Sequence, residues 1–428
     1  MTKKYRYLLL LLGFIIFLIL APVIVLYVRG ITYDFSKKAF VTTGILAMRI
    51  EPKEADIYLN NKIKRKSSGD IKFIIPGEYD VTVKKDGYFT WSKRLNVEPG
   101  QVTWGSPAYN KIYLLLKNPL AQKLTDNVID IYGESDNLAY LSQGNLNIIP
   151  ITNPTTAKTY PLPYKLNKIV TADADLSNIV LNASGTKLTL FNKQSEQFTD
   201  LSPIFENGAE FGFNGSDIYA LSSGTLFSLD LNKKTKTPLF SGVKAYAFQD
   251  NLLYFVQIMP NQKPALYTSQ APFTTSQILL DNLPDFSVGK LFITYEKQIF
   301  LLADKTLYLA NSTMKKMVEN ISFFNFQKTD SALALIHLGQ ADFFDPLAHN
   351  FNYVTRTTEN LNSLIVRNST GQAFYISNGK INSIELDTRD KQNQHLLYDG
   401  VAEKFFVDRA TKNIILLDSG ILKSMIIR

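Results

Sequence analysis

The sequence predicts an all-β body, a small β-sandwich followed by a β-propeller, carried on one N-terminal transmembrane helix. Three observations lead there. An uncharged apolar run lies near the N-terminus, a series of strand–turn–strand segments follows it, and a hairpin unit then recurs through the rest of the chain.

The run at 8–28, LLLLLGFIIFLILAPVIVLYV, holds no charged residue. At ~1.5 Å per residue a helix of this length spans about 31 Å, the thickness of a bilayer's hydrocarbon core. Lys3, Lys4 and Arg6 precede it, whereas Arg29, Lys37 and Lys38 follow it with Asp34 among them. The positive-inside rule then puts residues 1–7 in the cytoplasm as a short stub, too small for an output domain, and the body outside. A cleaved signal peptide is the competing reading. Its apolar region should be roughly 7–15 residues long and end in small residues. Here the run is longer, Ile19 spoils a small-residue site ending at Ala21, and Pro22 would follow the cut.

Composition bounds the rest. A chain of 428 residues predicts two or three domains, and 45% hydrophobic content is ample for packed cores. The absence of cysteine excludes disulfides, thiolate metal sites and cysteine nucleophiles together. The net charge of +8 is uneven: residues 1–118 carry 19 Lys and Arg against 9 Asp and Glu, and the remainder 27 against 29. The basic excess therefore belongs to the anchor and the segment after it, densest at Lys62, Lys64, Arg65 and Lys66. Such a cluster beside a bilayer suits anionic headgroups or acidic wall polymers, and equally a solvated loop.

After a linker at 29–43 the pattern becomes that of strands. Residues 44–50 and 55–59 are short apolar runs, and 71–75 ends at Pro76-Gly77, a turn signal. Tyr79, Val81 and Val83 alternate with Asp80, Thr82 and Lys84, the period-2 mark of a half-buried strand. Lys85-Asp86-Gly87 and Glu98-Pro99-Gly100 turn the chain again, and 112–116 reads as a closing strand. Over 44–117 this order resembles the PEGA domain, a small β-sandwich of bacterial envelope proteins. The resemblance rests on Pro52-Lys53-Glu54-Ala55 and the alternating strand after it, on Pro76-Gly77-Glu78-Tyr79, on Lys85-Asp86-Gly87-Tyr88 and on Val97-Glu98-Pro99-Gly100. Glu54 stands where the family has glycine, and the family's Gly-x-Thr-Pro stretch is missing around 66–70. The resemblance implies a binding or spacer module and brings no catalytic residues. Tyr88, Phe89 and Trp91 cluster after a turn and are candidates for a stacking surface, with core packing as the alternative.

Residues 118–428 repeat themselves. Hairpin turns fall at Gly144, Gly185, Gly224, about Asn261, Lys305, Gly339, Gly379 and Gly420, with gaps of 41, 39, 37, 44, 34, 40 and 41 residues. Each gap has room for a strand before the hairpin and another after it, and four strands per ~40 residues is a propeller-blade pattern. Eight turns predict eight blades; seven is the alternative, because the fourth and fifth turns lack glycine. The last unit has only three strands, and residues 120–124 are placed to supply the fourth and close the ring. In period and strand pattern alone this region resembles the TolB-like and WD-repeat propellers. It contains no Trp-Asp dipeptide, and both tryptophans, Trp91 and Trp104, precede it.

No motif for chemistry emerges. There is no Gly-x-Ser-x-Gly elbow and no phosphate-cradling glycine loop. His337, His349 and His395 lie in separate repeats, so a three-histidine metal site would need them to converge. Asp173 and Asp175 lack the glycine and distal glutamate of a calcium loop and read as a polar turn. The expectation is a non-enzymatic, membrane-anchored, extracytoplasmic binding or scaffolding protein without metal or cofactor. Its partners would be the bilayer through 8–28 and an envelope protein or anionic wall polymer, not nucleic acid. Two alternatives stand beside it: a glycan- or peptide-processing enzyme with carboxylates gathered at the propeller centre, and the ectodomain of a sensor complex.

Overall fold

The computed structural model describes residues 3–106, 111–134, 136–183, 187–205, 208–327, 332–345 and 349–428. The chain divides into two compact units: Met1–Lys117 with Glu385–His395 and Arg428, and Asn118–Ile384 with Leu396–Ile427.

The first unit opens with α1 (Lys3–Val28). Among the described residues it is the one helix long and apolar enough to cross a membrane, and none of that stretch is buried against protein. Eleven strands follow: β1 (Ile31–Asp34), β2 (Ala39–Thr42), β3 (Gly44–Met48), β4 (Ile50–Glu51), β5 (Asp56–Leu59), β6 (Lys62–Arg65), β7 (Gly69–Ile74), β8 (Gly77–Lys84), β9 (Trp91–Val97), β10 (Val102–Trp104) and β11 (Ile112–Tyr113). β1 and β2 form a hairpin, and β11 pairs in parallel with β4. The sheets β10–β3–β7 and β6–β5–β8–β9 enclose one core built from Leu46, Met48, Ile57, Val81, Val83 and Leu95. The alternation in the sequence explains that core: on β8 Val81 and Val83 point inward while Asp80 and Lys84 do not. Closing residues 112–116 pair over only two positions, because the chain then leaves the sheet and Leu116 makes a single bridge to Tyr88.

The second unit contains eight four-stranded sheets among the described residues, the seventh sharing Glu385, Gln394 and His395 with the first unit. Sheet 1 covers 128–161, sheet 2 168–200, sheet 3 210–241, sheet 4 243–280, sheet 5 289–318, sheet 6 321–356 and sheet 7 361–398. Sheet 8 joins Ala402–Val407, Asn413–Asp418 and Ile421–Ile426 to Ala121–Thr125, which pairs antiparallel with Ile421–Ile426 through Ala121↔Met425 and Lys123↔Lys423. The missing fourth strand thus comes from the segment before sheet 1. This pairing covers an edge that would otherwise be exposed.

The hairpin turns join the second and third strands of each sheet, except that Gly185 lies outside the described residues. At Ser223-Gly224 and Asn378-Gly379 both residues have positive φ, the geometry that matches strand twist in a two-residue hairpin. Asp304-Lys305 adopts the same conformation without glycine, which is why that turn is poorly marked in the sequence.

The second strands do not alternate. Ala332–His337 buries five consecutive residues, and Asn413–Asp418 buries Ile414, Ile415, Leu416 and Leu417. A strand with sheets packed on both of its faces is apolar throughout. First strands of successive sheets touch one another and so line the axis. In six of them the register slips near the start, as between Val243 and Ala245, which adds local twist. Polar bonds tie neighbouring sheets. The Asp130 carboxylate accepts from the Ile169 N–H at 2.9 Å, Asn325 donates to the Leu364 carbonyl at 3.1 Å, and Thr370 and Thr411 hydroxyls meet at 2.8 Å. The Arg409 N–H to Asp136 and the Lys404–Asp130 ion pair join sheet 8 to sheet 1, so the ring is closed.

Candidate functional site

In the second unit a recess of about 490 Å³ opens among the first strands of sheets 2 to 6. Phe211, Phe213, Tyr246, Phe248, Phe292 and Phe326 wall it, and Glu210 and Lys290 are its only ionisable residues apart from the tyrosine. Aromatic rings share its walls with polar groups, so it suits an apolar or aromatic group with a polar end.

The walls are held by packing and by backbone bonds. Phe292 packs against Phe324 and Phe326 with ring centroids at 4.4 and 5.5 Å. Tyr246 donates its hydroxyl to the Glu210 carbonyl at 3.0 Å and lies in reach of the Tyr219 carbonyl at 3.3 Å. Its ring passes directly over Gly212, where a Cβ would stand 2.9 Å from it. Burial first, and Glu210 second, hold the Tyr246 phenol far above its ordinary value, so it remains a neutral donor. Burial also holds the Glu210 carboxyl above the usual carboxylate range, and Lys290 pulls it back only in part. One carboxylate lines this recess; the two facing carboxylates that glycoside cleavage uses are not assembled here.

The residues singled out in the sequence lie elsewhere, in the first unit. Lys62, Lys64 and Arg65 are exposed on β6, an edge strand, and Lys66 follows them, exposed as well. Arg65 folds back, donating to the Ser67 carbonyl at 2.9 Å and facing the Asp70 carbonyl at 3.4 Å. Charges along an edge also deter pairing with a second chain. Tyr88 is half-buried against the sandwich core, and Phe89 stacks on His395 with ring centroids 4.1 Å apart. Trp91 is not a surface residue: only 4% of it is exposed, because it begins the inward-facing row of β9, and its indole donates to Glu385 at 2.9 Å. The three aromatics therefore present no common stacking face.

Sequence reasoning missed a wholly buried lysine of this unit. On β9 the row Trp91, Lys93, Leu95, Val97 is buried throughout. The Lys93 ammonium has no exposed surface and donates to the carbonyls of Asp387, Arg389 and Lys391 at 2.7, 3.0 and 2.9 Å, with Glu385 at 3.3 Å. Burial holds the Glu385 carboxyl above its ordinary range in spite of that ammonium. Arg389 forks onto Asp387 and donates to the carbonyls of Trp104 and Gly105. The signal was present as a lysine at an inward position of an alternating strand.

The histidines do not converge. His337 bonds Asp342 at 2.7 Å, His349 contacts Gln298, and no group of three metal-binding side chains occurs among the described residues. Asp173 closes its own turn by accepting the N–H groups of Ser177 and Asn178.

His395 carries a testable consequence. Burial pushes its imidazole down to about 4, below the ordinary value of 6.5. The folded state then binds fewer protons than the unfolded chain between these values, so stability is lost as pH falls from about 6.5 toward 4. Urea denaturation should show this loss, smaller than ~3 kcal/mol because the ring is partly exposed, and His395→Phe should remove it.

A PEGA domain model matches residues 43–109. No curated protein matches the chain. Among solved structures it is similar to Sqt1 of Saccharomyces cerevisiae at 11% identity, over 73% of this chain and 99% of that one, with a TM-score of 0.48. BamB from Moraxella catarrhalis is 10% identical over 72% of this chain and all of its own, with a TM-score of 0.46. PorZ of Porphyromonas gingivalis, a bacterial surface component of the type-IX secretion system, is 12% identical over 70% of this chain, with a TM-score of 0.42; the chain spans 42% of its length. The protein thus combines a PEGA domain with a β-propeller behind an apolar N-terminal helix.

Proposed function

We propose that this is a membrane-anchored, extracytoplasmic binding or scaffolding protein of a bacterial cell envelope, which receives an apolar side chain of a partner protein in the aromatic recess. The recess carries the reading: about 490 Å³ walled by six aromatic rings, with a single carboxylate and a single ammonium among them. Such a surface gains affinity by excluding water around one or two anchor side chains. An anionic wall polymer would instead meet the exposed lysines of β6. Lys3, Lys4 and Arg6 ahead of the helix support the proposed orientation.

The test is photo-crosslinking in native membranes. A photoreactive residue at Phe213 of the full-length protein should capture one partner, and Glu210→Arg should abolish the adduct. The same probe at Ile278, exposed on the last strand of sheet 4, serves as the control. Equal capture from both positions would refute the assignment to the recess.

A further inference from the structure

The hairpin β1–β2 begins three residues after the apolar helix ends. The join is short and fixed: the Gly30 carbonyl accepts both the N–H and the hydroxyl of Thr43 at 2.7 Å, and Tyr27 at the helix end stacks on Phe73 at 4.7 Å. Wherever the helix leaves the bilayer, the hairpin stands at that level.

Its two faces differ sharply. Tyr33 and Phe40 are directly opposed across the pair, and Phe35 lies two residues beyond Tyr33 on the same side. The three rings form one edge-to-face cluster with centroids 5.1 and 5.3 Å apart. The cluster is not covered by the protein: Phe35 is 85% exposed and Phe40 65%. On the other face Asp34 is buried and caps the turn by accepting the Ser36 N–H at 2.8 Å. Lys37 and Lys38 stand exposed at the tip.

We infer that this hairpin is a second membrane contact, lying in the interfacial layer with Tyr33, Phe35 and Phe40 toward the acyl chains and Lys37 and Lys38 toward anionic headgroups. Four-residue strands of ~13 Å lying along the surface stay within that layer. Aromatic rings are favoured there, and juxtamembrane lysines gain from anionic lipid. The contact would limit how the helix and the unit joined to it tilt together in the bilayer.

The chain has no cysteine, so nitroxide labels can be placed one at a time. Full-length protein carrying Phe35→Cys or Phe40→Cys is reconstituted in vesicles of phosphatidylcholine with phosphatidylserine, and collisions with oxygen and with a water-soluble nickel complex are measured. Labels at 35 and 40 should meet oxygen more than nickel, whereas Ile63→Cys on β6 should show the reverse. Nickel-dominated collisions at both hairpin positions, matching Ile63, would overturn the inference. Gly13→Cys inside the helix reports insertion separately, so a failed anchor and a water-exposed hairpin are told apart. If Phe35→Cys does not fold, Tyr33→Cys on the same face takes its place under the same two outcomes.

Discussion

Lys93→Met is expected to cost the first unit about 3–5 kcal/mol, the range for removing one partner of a buried ionic group. The substitution preserves the length of the side chain and its packing on β9, but leaves the carbonyls of Asp387, Arg389 and Lys391 and the Glu385 carboxylate without their cation. The Lys93 side chain is wholly buried and that of Glu385 nearly so, so the loss is a desolvation cost rather than the small net worth of a hydrogen bond. Trp91 and Trp104, the only tryptophans, both lie in this unit, so their fluorescence during urea denaturation follows it. The midpoint should fall while the slope stays constant. Adding Glu385→Gln should restore part of the loss, since the uncompensated charge is then gone. A change below ~1 kcal/mol would show that water replaces the ammonium at no cost.

Leu422→Ala should destabilise the propeller by about 2–5 kcal/mol. Leu422 is wholly buried in a cluster that joins Val128, Ile131, Leu138 and Tyr140 of sheet 1 to Ile415 and Leu417 of sheet 8. Its strand is also the one that Ala121–Thr125 pairs with. A cavity there loosens the point where the two ends of the ring meet, so amide exchange should accelerate first in 121–125 and in sheet 1. Leu120→Ala, beside the strand but 83% exposed, should shift stability by no more than about 0.5 kcal/mol. Uniform acceleration over all eight sheets would contradict a local closure and point to one cooperative unit.

What the sequence revealed and what it hid follow from the range of the interactions. Hairpin turns are local, and Gly224, Gly379 and Gly420 sit where positive φ favours glycine. The closing strand was visible because a three-stranded last repeat leaves one place vacant. The PEGA-like segment was visible through its turn dipeptides, which depend on neighbours in the chain. The recess was not, since its walls come from five sheets between Val170 and Phe326 and no periodicity links them. Trp91 and Glu385 are 294 residues apart, and nothing local marks Lys93 as their companion. Phe89 and His395 pair for the same unreadable reason. Burial of Trp91 was the better half of an ambiguous pattern: inward rows and surface aromatics look alike until the facing segment is known.

The role proposed for the recess depends on a retained helix with the body on the extracytoplasmic side, and the hairpin contact depends on the same retained helix. Labelling intact cells with a membrane-impermeant maleimide tests this most directly, one cysteine at a time in the cysteine-free chain. The account predicts that Lys62→Cys is labelled on intact cells at full-length mass, and that Thr2→Cys is labelled only after lysis. Labelling of Thr2→Cys on intact cells with Lys62→Cys protected would contradict it, because the propeller would then face the cytoplasm.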